Sequence, residues 1–503
     1  MNATIIGSQF GDEGKGGAVD RFGERADVVV RYQGGDNAGH TVVHGGETYE
    51  LRLVPSGVVR GTTGLLGDGC VVNLATLFEE IDRLRERGLD PDVRVSGRAH
   101  VVLPYHRALD LASEAARGDD LAVGTTGNGI GPAYEDKAGR RGIRAAELLE
   151  PAAVRERLEH VVPKKRAVAE AAYGLDPDDP GAALAPDRSA AADAASDAGE
   201  GYAVRDLEIA FDVDAICERL RTYGERLADE GMVVDGGSYL ADRRREGARI
   251  LFEGAQATHL DLDRGDYPYV TSSNPTAGGA IVGSGVPPAA VADGVTIGVA
   301  KAYLSRVGRG PMPTELDDET AAALRERGGE YGTVTGRPRR IGWLDLPMLR
   351  DAARANGFDG LVLNHVDALA GLERVRICEA YELDGERVTT TPPTAAARAR
   401  CAPAYRTVDG WSDRDWSAVA AEGYDALPAN ARAYVEHVGE ALEVPVYAVG
   451  VGPGREETIV RRAPFASTEC SSADRVATDR GRAERAAFDR ENNDRERATH
   501  ERG

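Results

Sequence analysis

The run Gln9-Phe-Gly-Asp12-Glu13-Gly14-Lys15-Gly16 decides how the chain is read. Before it stands the short apolar run Thr4-Ile5-Ile6, bounded by Gly7, and after it Gly14 to Gly23 can open a helix. The run therefore reads as a loop linking a strand to a helix N-terminus. Such a junction binds phosphate: glycines let backbone N–H groups approach an anion, the helix end adds partial positive charge, and Lys15 adds a full one. The loop departs from the usual nucleotide-binding pattern, with Gln9 where that pattern has Gly and Gly16 where it has the magnesium-binding Ser or Thr. Asp12 is the replacement oxygen ligand that the loop itself offers.

Working outward, Asp27-Val-Val-Val30-Arg31 reads as a buried strand that delivers a second loop, Asn37-Ala38-Gly39-His40-Thr41. Leu74, Leu77, Phe78, Ile81 and Leu84 recur at helical spacing, with Gly88 placed to end the helix. Gly124-Thr125-Thr126-Gly127-Asn128-Gly129-Ile130-Gly131-Pro132 is too glycine-rich for the interior of an element and reads as a structural turn or a functional loop, and Tyr134 to Gly142 as a solvated basic corner or a functional one. From about residue 163 to 205 the texture turns to Ala, Asp and Pro, as expected of helix ends joined by a loose acidic insertion. Arg249-Ile-Leu-Phe252 is a strand that runs into Glu253-Gly-Ala-Gln256, and open parallel sheets hold their ligands at that carboxyl end. Val295 to Ala300, Leu361 to Leu363 and Val444 to Val449 read as further strands. Three guanidinium groups on the Thr/Gly segment Gly332 to Arg340 suit a small polyanion. Asp367, just past a strand, can either cap the next turn or accept from the N1–H and 2-amino group of guanine. From about residue 467 the chain is dense in charge and poor in apolar residues and is expected to be disordered; 1–466 is read as the catalytic domain.

The net charge is −22, and no basic stripe is present, which argues against nucleic acid as a partner. Of the 61 basic residues only Lys15, Lys137, Lys164, Lys165 and Lys301 are lysines. Acid-rich, lysine-poor, alanine-rich composition suits a salt-loaded cytoplasm, where a Debye length of about 3 Å at 1 M salt makes self-repulsion tolerable. Five scattered cysteines with no CxxC pair read as reduced thiols. With no long apolar run and no basic-then-apolar leader, a cytoplasmic location without a membrane partner is expected.

Taken together, Gln9 to Gly16, Asn37 to His40, Gly124 to Gly127 with Ile130 to Lys137, Phe252 to Gln256, Tyr267 to Asn274, Thr335 to Arg339 and Gly342 to Asp345 resemble the adenylosuccinate synthetase family, in that family's order and across about residues 3 to 466. The resemblance implies an α/β fold with a large, mainly parallel central sheet flanked by helices, related to the P-loop NTPases. It implies a homodimer that ligates IMP and L-aspartate to adenylosuccinate with GTP and magnesium, through a 6-phosphoryl-IMP intermediate. It assigns catalysis to Asp12, His40, Lys15 and Gln256, and magnesium to Asp12 with Gly39. IMP would meet Asp12, Glu13, Gly14, Lys15, Asn37, Ala38, Gly39, His40, Thr126, Gln256, Thr271 and Arg337, with Arg140 contributed by the other subunit. GTP would meet Gly11 to Gly17, Gly39, His40, Thr41, Arg339, His365, Val366, Asp367, Gly450, Val451 and Gly452. Aspartate would meet Thr333, Val334, Thr335, Gly336, Arg337, Pro338 and Arg339.

Three positions depart from many relatives: Gly17 replaces a Lys, Asn128 an Arg, and His365 the usual Lys of the guanine-recognition tetrapeptide. A GTP-dependent switch protein is the competing reading, but it would not need His40, Gln256 or the arginines at 337 and 339.

Overall fold

A computed structural model of the chain describes residues 2–121, 127–180, 206–331 and 338–465. A compact unit ends at Arg462, and the segment from Ala463 is a second unit. The predicted C-terminal tail and residues 181–205 of the predicted insertion lie outside the described residues.

Short, mostly apolar runs, buried on both faces, make most of the parallel strands. Ten strands form the main sheet: β1 (Asn2–Gly7), β2 (Val28–Arg31), β3 (Thr63–Leu66), β4 (Val93–Ser96), β5 (Val233–Val234), β6 (Ile250–Glu253), β7 (Val295–Lys301), β8 (Gly360–Asn364), β9 (Val446–Gly450) and β10 (Thr458–Val460). Their spatial order is β10-β9-β8-β7-β1-β6-β2-β3-β4-β5. All pairs are parallel except β9 with β10. β1 sits between β6 and β7, with Ile5 opposite both Glu253 and Ile297. The carboxyl ends of β1, β2, β6, β7, β8 and β9 thus lie on one edge, and the loops that begin at Gln9, Asn37, Gly254 and His365 leave from there.

Helices cover the faces. α1 (Lys15–Gly23) follows the phosphate loop. α2 (Leu74–Glu86) buries the predicted Leu74, Leu77, Phe78, Ile81 and Leu84, and Asn73 caps it by accepting from the N–H groups of Ala75 and Thr76. α3 (Pro104–Leu121), α4 (Ile130–Ala138), α5 (Pro151–Tyr173) and α6 (Val213–Asp229) belong to the half whose core runs from Val42 to Met232. α7 (Leu346–Asn356) and α8 (Ala429–Leu442) pack in the other half, between Ala300 and Ile459.

The segment from Tyr134, open in the sequence between a solvated basic corner and a functional one, begins inside α4, which ends at Ala138 before Arg140 and Arg141. The helix's glycine-rich start misled the reading, yet Gly129 is a left-handed cap and Pro132 lies in the first turn, where a missing N–H costs nothing. Nor is the helix solvated throughout. Asp136 is buried and accepts from Lys165 Nζ (2.6 Å), His106 Nε2 (3.0 Å) and Tyr105 Oη (3.2 Å), pinning α4 to α3 and α5.

Candidate active site

The phosphate loop is wound around its own carboxylate. Glu13, fully buried, accepts the backbone N–H groups of Gln9 (3.0 Å) and Gly11 (2.9 Å) on one oxygen and Lys15 Nζ (2.7 Å) on the other. Gly14 takes φ 86°, and a Cβ there would lie 2.7 Å from the side-chain nitrogen of Asn364, which donates to the Glu13 carbonyl at 2.7 Å. Asp12 also lies in the left-handed region, with φ 57°. A non-glycine residue held there is a mark of a functional turn. Its side chain is 35% exposed, lines the main cavity, and faces Arg339 Nη2 at 3.0 Å.

Beside this loop, the carboxyl end of β6 holds His40. Nδ1 of His40 bonds to Glu253, which is completely buried and also accepts from the Ser56 backbone N–H (2.9 Å) and hydroxyl (2.5 Å). Burial pushes the Glu253 carboxyl up, but His40 and the Ser56 donors more than reverse this and hold it below the ordinary glutamate range. Ser56 is placed by another buried carboxylate: Glu80 accepts the N–H groups of Arg52 (2.6 Å), Leu53 (3.1 Å) and Val54 (2.9 Å). His40 therefore has its orientation set at Nδ1, and its ring lines the cavity. Gln256, at φ 58°, donates to Asn37 Oδ1 (3.2 Å) and accepts from Gln33 (3.3 Å).

The third wall lies over β8 and β9. His365 takes φ 61° and meets Tyr303 edge-on, with ring centroids 5.9 Å apart. Burial first, and then Lys301, bring its imidazole down to about 4, so it is neutral near pH 7. Burial raises the Asp367 carboxyl to about 6, and its Oδ1 is buried without a hydrogen-bond partner. The Asn364 side chain is wedged between this wall and the phosphate loop, since a Cβ on Gly450 would come within 2.4 Å of its oxygen.

One cavity of about 1010 Å³ joins the three walls. It is lined by Gly11, Asp12, Gly14, Lys15, Gly16, Gly17, Asn37, Ala38, Gly39, His40, Thr41, Gln256, Thr271, Arg339, His365 and Gly452. Glu13, Val366, Asp367, Gly450, Val451 and Pro338 are not in its lining, and Val366, Gly450 and Val451 are buried behind it. Thr126, Thr333, Val334, Thr335, Gly336 and Arg337 lie outside the described residues. Arg140 is brought to a different place: it follows α4 with φ 59°, is exposed, and does not line this cavity.

The departures read simply here. A side chain at Gly17 would meet nothing within 4 Å, and Asn128 is turned to the Asp36 carbonyl (3.3 Å). The sequence reading missed Glu253, Ser56 and Asn364 as supports of the site. Glu253 could have been found, because it occupies the strand end just before the quoted Gly-Ala-Gln.

A magnesium ion would find hard oxygen donors in the Asp12 carboxylate and the Gly39 carbonyl, which belong to two residues of the cavity lining. One carboxylate with a carbonyl, the remainder coming from water and phosphate, is the donor set magnesium takes at nucleotide sites.

Residues 4–459 match the family model described as adenylosuccinate synthetase. An adenylosuccinate synthetase of Halobacterium salinarum is 58% identical over 92% of this chain and 100% of its own length, and one of Natronomonas pharaonis is 56% identical with the same coverages. Both are halophilic archaea, in keeping with the acidic, lysine-poor composition. The fully ligated adenylosuccinate synthetase of Plasmodium falciparum superposes with a TM-score of 0.79 at 32% identity, over 92% of this chain and 99% of that one. The phosphate loop and the carboxylate-oriented histidine stand on one cavity, with the buried, unpartnered Oδ1 of Asp367 behind its third wall, and the comparisons agree on what such a site serves: the chain belongs to the adenylosuccinate synthetase family, which joins IMP to L-aspartate with GTP in the synthesis of AMP.

Proposed function

We propose that this chain carries out the ligation in two steps within the described cavity, with Asp12 as the base. Oxygen 6 of IMP is both a poor nucleophile and a poor leaving group. Asp12 takes the N1 proton, negative charge moves to O6, and O6 attacks the γ-phosphorus of GTP, releasing GDP and leaving 6-phosphoryl-IMP. The amine of aspartate then attacks C6; the C6–O bond breaks, phosphate leaves, and the amine loses a proton. Lys15 and the loop amides stabilise the phosphoryl oxygens, and Gln256 with Asn37 and Thr271 holds the IMP side. With Nδ1 engaged by Glu253, Nε2 of His40 is the atom left to meet charge developing on the transferred group. A magnesium ion on Asp12 and Gly39 would supply charge neutralisation at the phosphates. Asp367 reads the guanine edge, and residues 333–339 take aspartate. The observation that carries this reading is the exposed Asp12 carboxylate, held at positive φ on the same cavity as Lys15, His40 and Gln256. A coupled assay for adenylosuccinate tests it: GDP release sustained beyond one equivalent per site must require both IMP and aspartate, and sustained GDP release with neither would favour a switch protein.

We also propose a homodimer in which Arg140 serves the partner's IMP phosphate. Support comes from its exposure just past the end of α4, a helix pinned through Asp136, and from its absence from the lining of its own cavity. Mixing Arg140→Leu with Asp12→Ala creates heterodimers with one intact site, and random pairing of equal amounts should restore about a quarter of wild-type activity. Subunit exchange without recovery would remove Arg140 from the site.

A further inference from the structure

Behind Asp12 lies a line of alternating buried charges that the two-step scheme does not use. Glu330 is fully buried. Its Oε1 accepts from Lys301 Nζ (2.5 Å) and Tyr303 Oη (2.5 Å), and its Oε2 accepts from Arg339 Nη1 (2.9 Å). Arg339 is tied to it a second time through its backbone N–H on the Glu330 carbonyl (2.9 Å), while its Nη2 faces Asp12 (3.0 Å). Lys301 in turn donates to Ser305 (2.6 Å), and its backbone is clasped by Gln9, the first residue of the phosphate loop, through bonds of 3.0 and 3.3 Å. The line thus runs Lys301, Glu330, Arg339, Asp12, from the end of β7 to the catalytic base.

Stability alone does not account for such a line, because burying ions costs about as much as their pairing returns. Composition adds an independent point. In a chain with only five lysines, one of them is buried here, where a compact ammonium reaches both Ser305 and Glu330. Burial acts to raise the Glu330 carboxyl, but Lys301 and its other donors overcome this and hold it near 2, so it is ionised throughout the working range.

We infer that Glu330 is a positioning residue for the ligation: anchored by Lys301 and Tyr303, it fixes the Arg339 guanidinium so that one nitrogen is held and the other is presented to Asp12 and the substrates. This rests on the proposed place of Arg339 in the aspartate and GTP site. When Asp12 turns to IMP, Arg339 keeps its orientation because its other nitrogen stays on Glu330.

Glu330→Gln should lower kcat/KM for aspartate about ten- to hundredfold, the range for losing a hydrogen bond between charged groups, while KM for IMP stays within about twofold. In an Arg339→Lys background the same change should add less than about threefold, because a positioning residue has no effect once the group it positions is gone. Two losses that multiply would overturn the inference. Thermal denaturation sets a temperature at which all variants are folded. Should Glu330→Gln not fold, Tyr303→Phe removes one neutral hydrogen bond to the same carboxylate and should lower kcat/KM for aspartate by a few fold with KM for IMP unmoved; no change would overturn the inference. Wild-type constants in Arg339→Lys would instead refute the placement of Arg339. An impaired Arg339→Lys beside an unimpaired Glu330→Gln would refute the inference alone.

Discussion

The phosphate-loop wall and the wall over β8 and β9, proposed above to take guanine, face one cavity but stand in opposite electrostatic states. On the first, the polar side chains already have partners from the chain: Glu13 with Lys15, His40 with Glu253, Asp12 with Arg339. On the second, Asp367 leaves an oxygen buried and unpaired, and His365 is neutral. Phosphate must therefore exchange partners on entering, which keeps Lys15 from costing an unpaired buried charge when the site is empty. On the proposed reading, guanine instead supplies a partner that this oxygen lacks. An unpaired buried acceptor is expensive, and that expense turns into discrimination once the matching donor arrives.

The comparison breaks most visibly at Asp12. If it is the base, Asp12→Ala should keep the fold, since its side chain is partly exposed and paired with Arg339 alone, and turnover should fall about 10²–10⁴-fold. A variant retaining more than about a tenth of wild-type turnover would move the base elsewhere on this wall.

The guanine wall is sharpened by exchanging its acceptor. Asp367→Asn replaces one oxygen by a donor, so GTP should weaken by about ten- to hundredfold and XTP, whose C2 oxygen accepts, should gain. Catalytic efficiencies with GTP, ITP, ATP and XTP on both proteins give the answer. An unchanged order of preference would take Asp367 out of the pocket.

Much of this was legible in the sequence, for local reasons. Parallel strands buried on both faces are continuous apolar runs, so β1, β2, β6, β7, β8 and β9 showed themselves, and so did the loops at their ends. What stayed hidden is non-local. His40 and Glu253 are 213 residues apart, and Asn364 and Glu13 are 351 apart, so no spacing rule pairs them. Glu330 was invisible for the same reason: nothing around Gly329-Glu330-Tyr331 announces that Lys301, Tyr303 and Arg339 converge there. α4 was hidden differently, by a glycine-rich start that looked like the end of structure when it was a cap followed by a proline in the first turn.

The smallest expected effect is also the most direct measure of the unpaired carboxylate. Burial raises Asp367 to about 6, so its proton is held more tightly in the fold than in the unfolded chain, where aspartate lies near 3.9. Sign follows from that order. Without ligand, the contribution of this group to stability is full at low pH and is lost as pH rises from about 4 through about 6, because the fold then carries an unpaired buried charge. Guanine binding reverses the preference, since the N1–H and amino donors need the ionised form. KM for GTP should therefore rise as pH falls below about 6, approaching tenfold per unit, and level off above it. His365 does not contribute, being neutral until about 4. The γ-phosphate titrates as well, so the quantity to plot is KM for GTP divided by KM for ATP, which carries the same phosphates but offers N1 as an acceptor. In the wild type the ratio should climb towards acid pH, and in Asp367→Asn it should be flat. A ratio equally flat in both proteins would mean that the Asp367 carboxylate has another partner when GTP binds, and the contrast between the two walls would be lost.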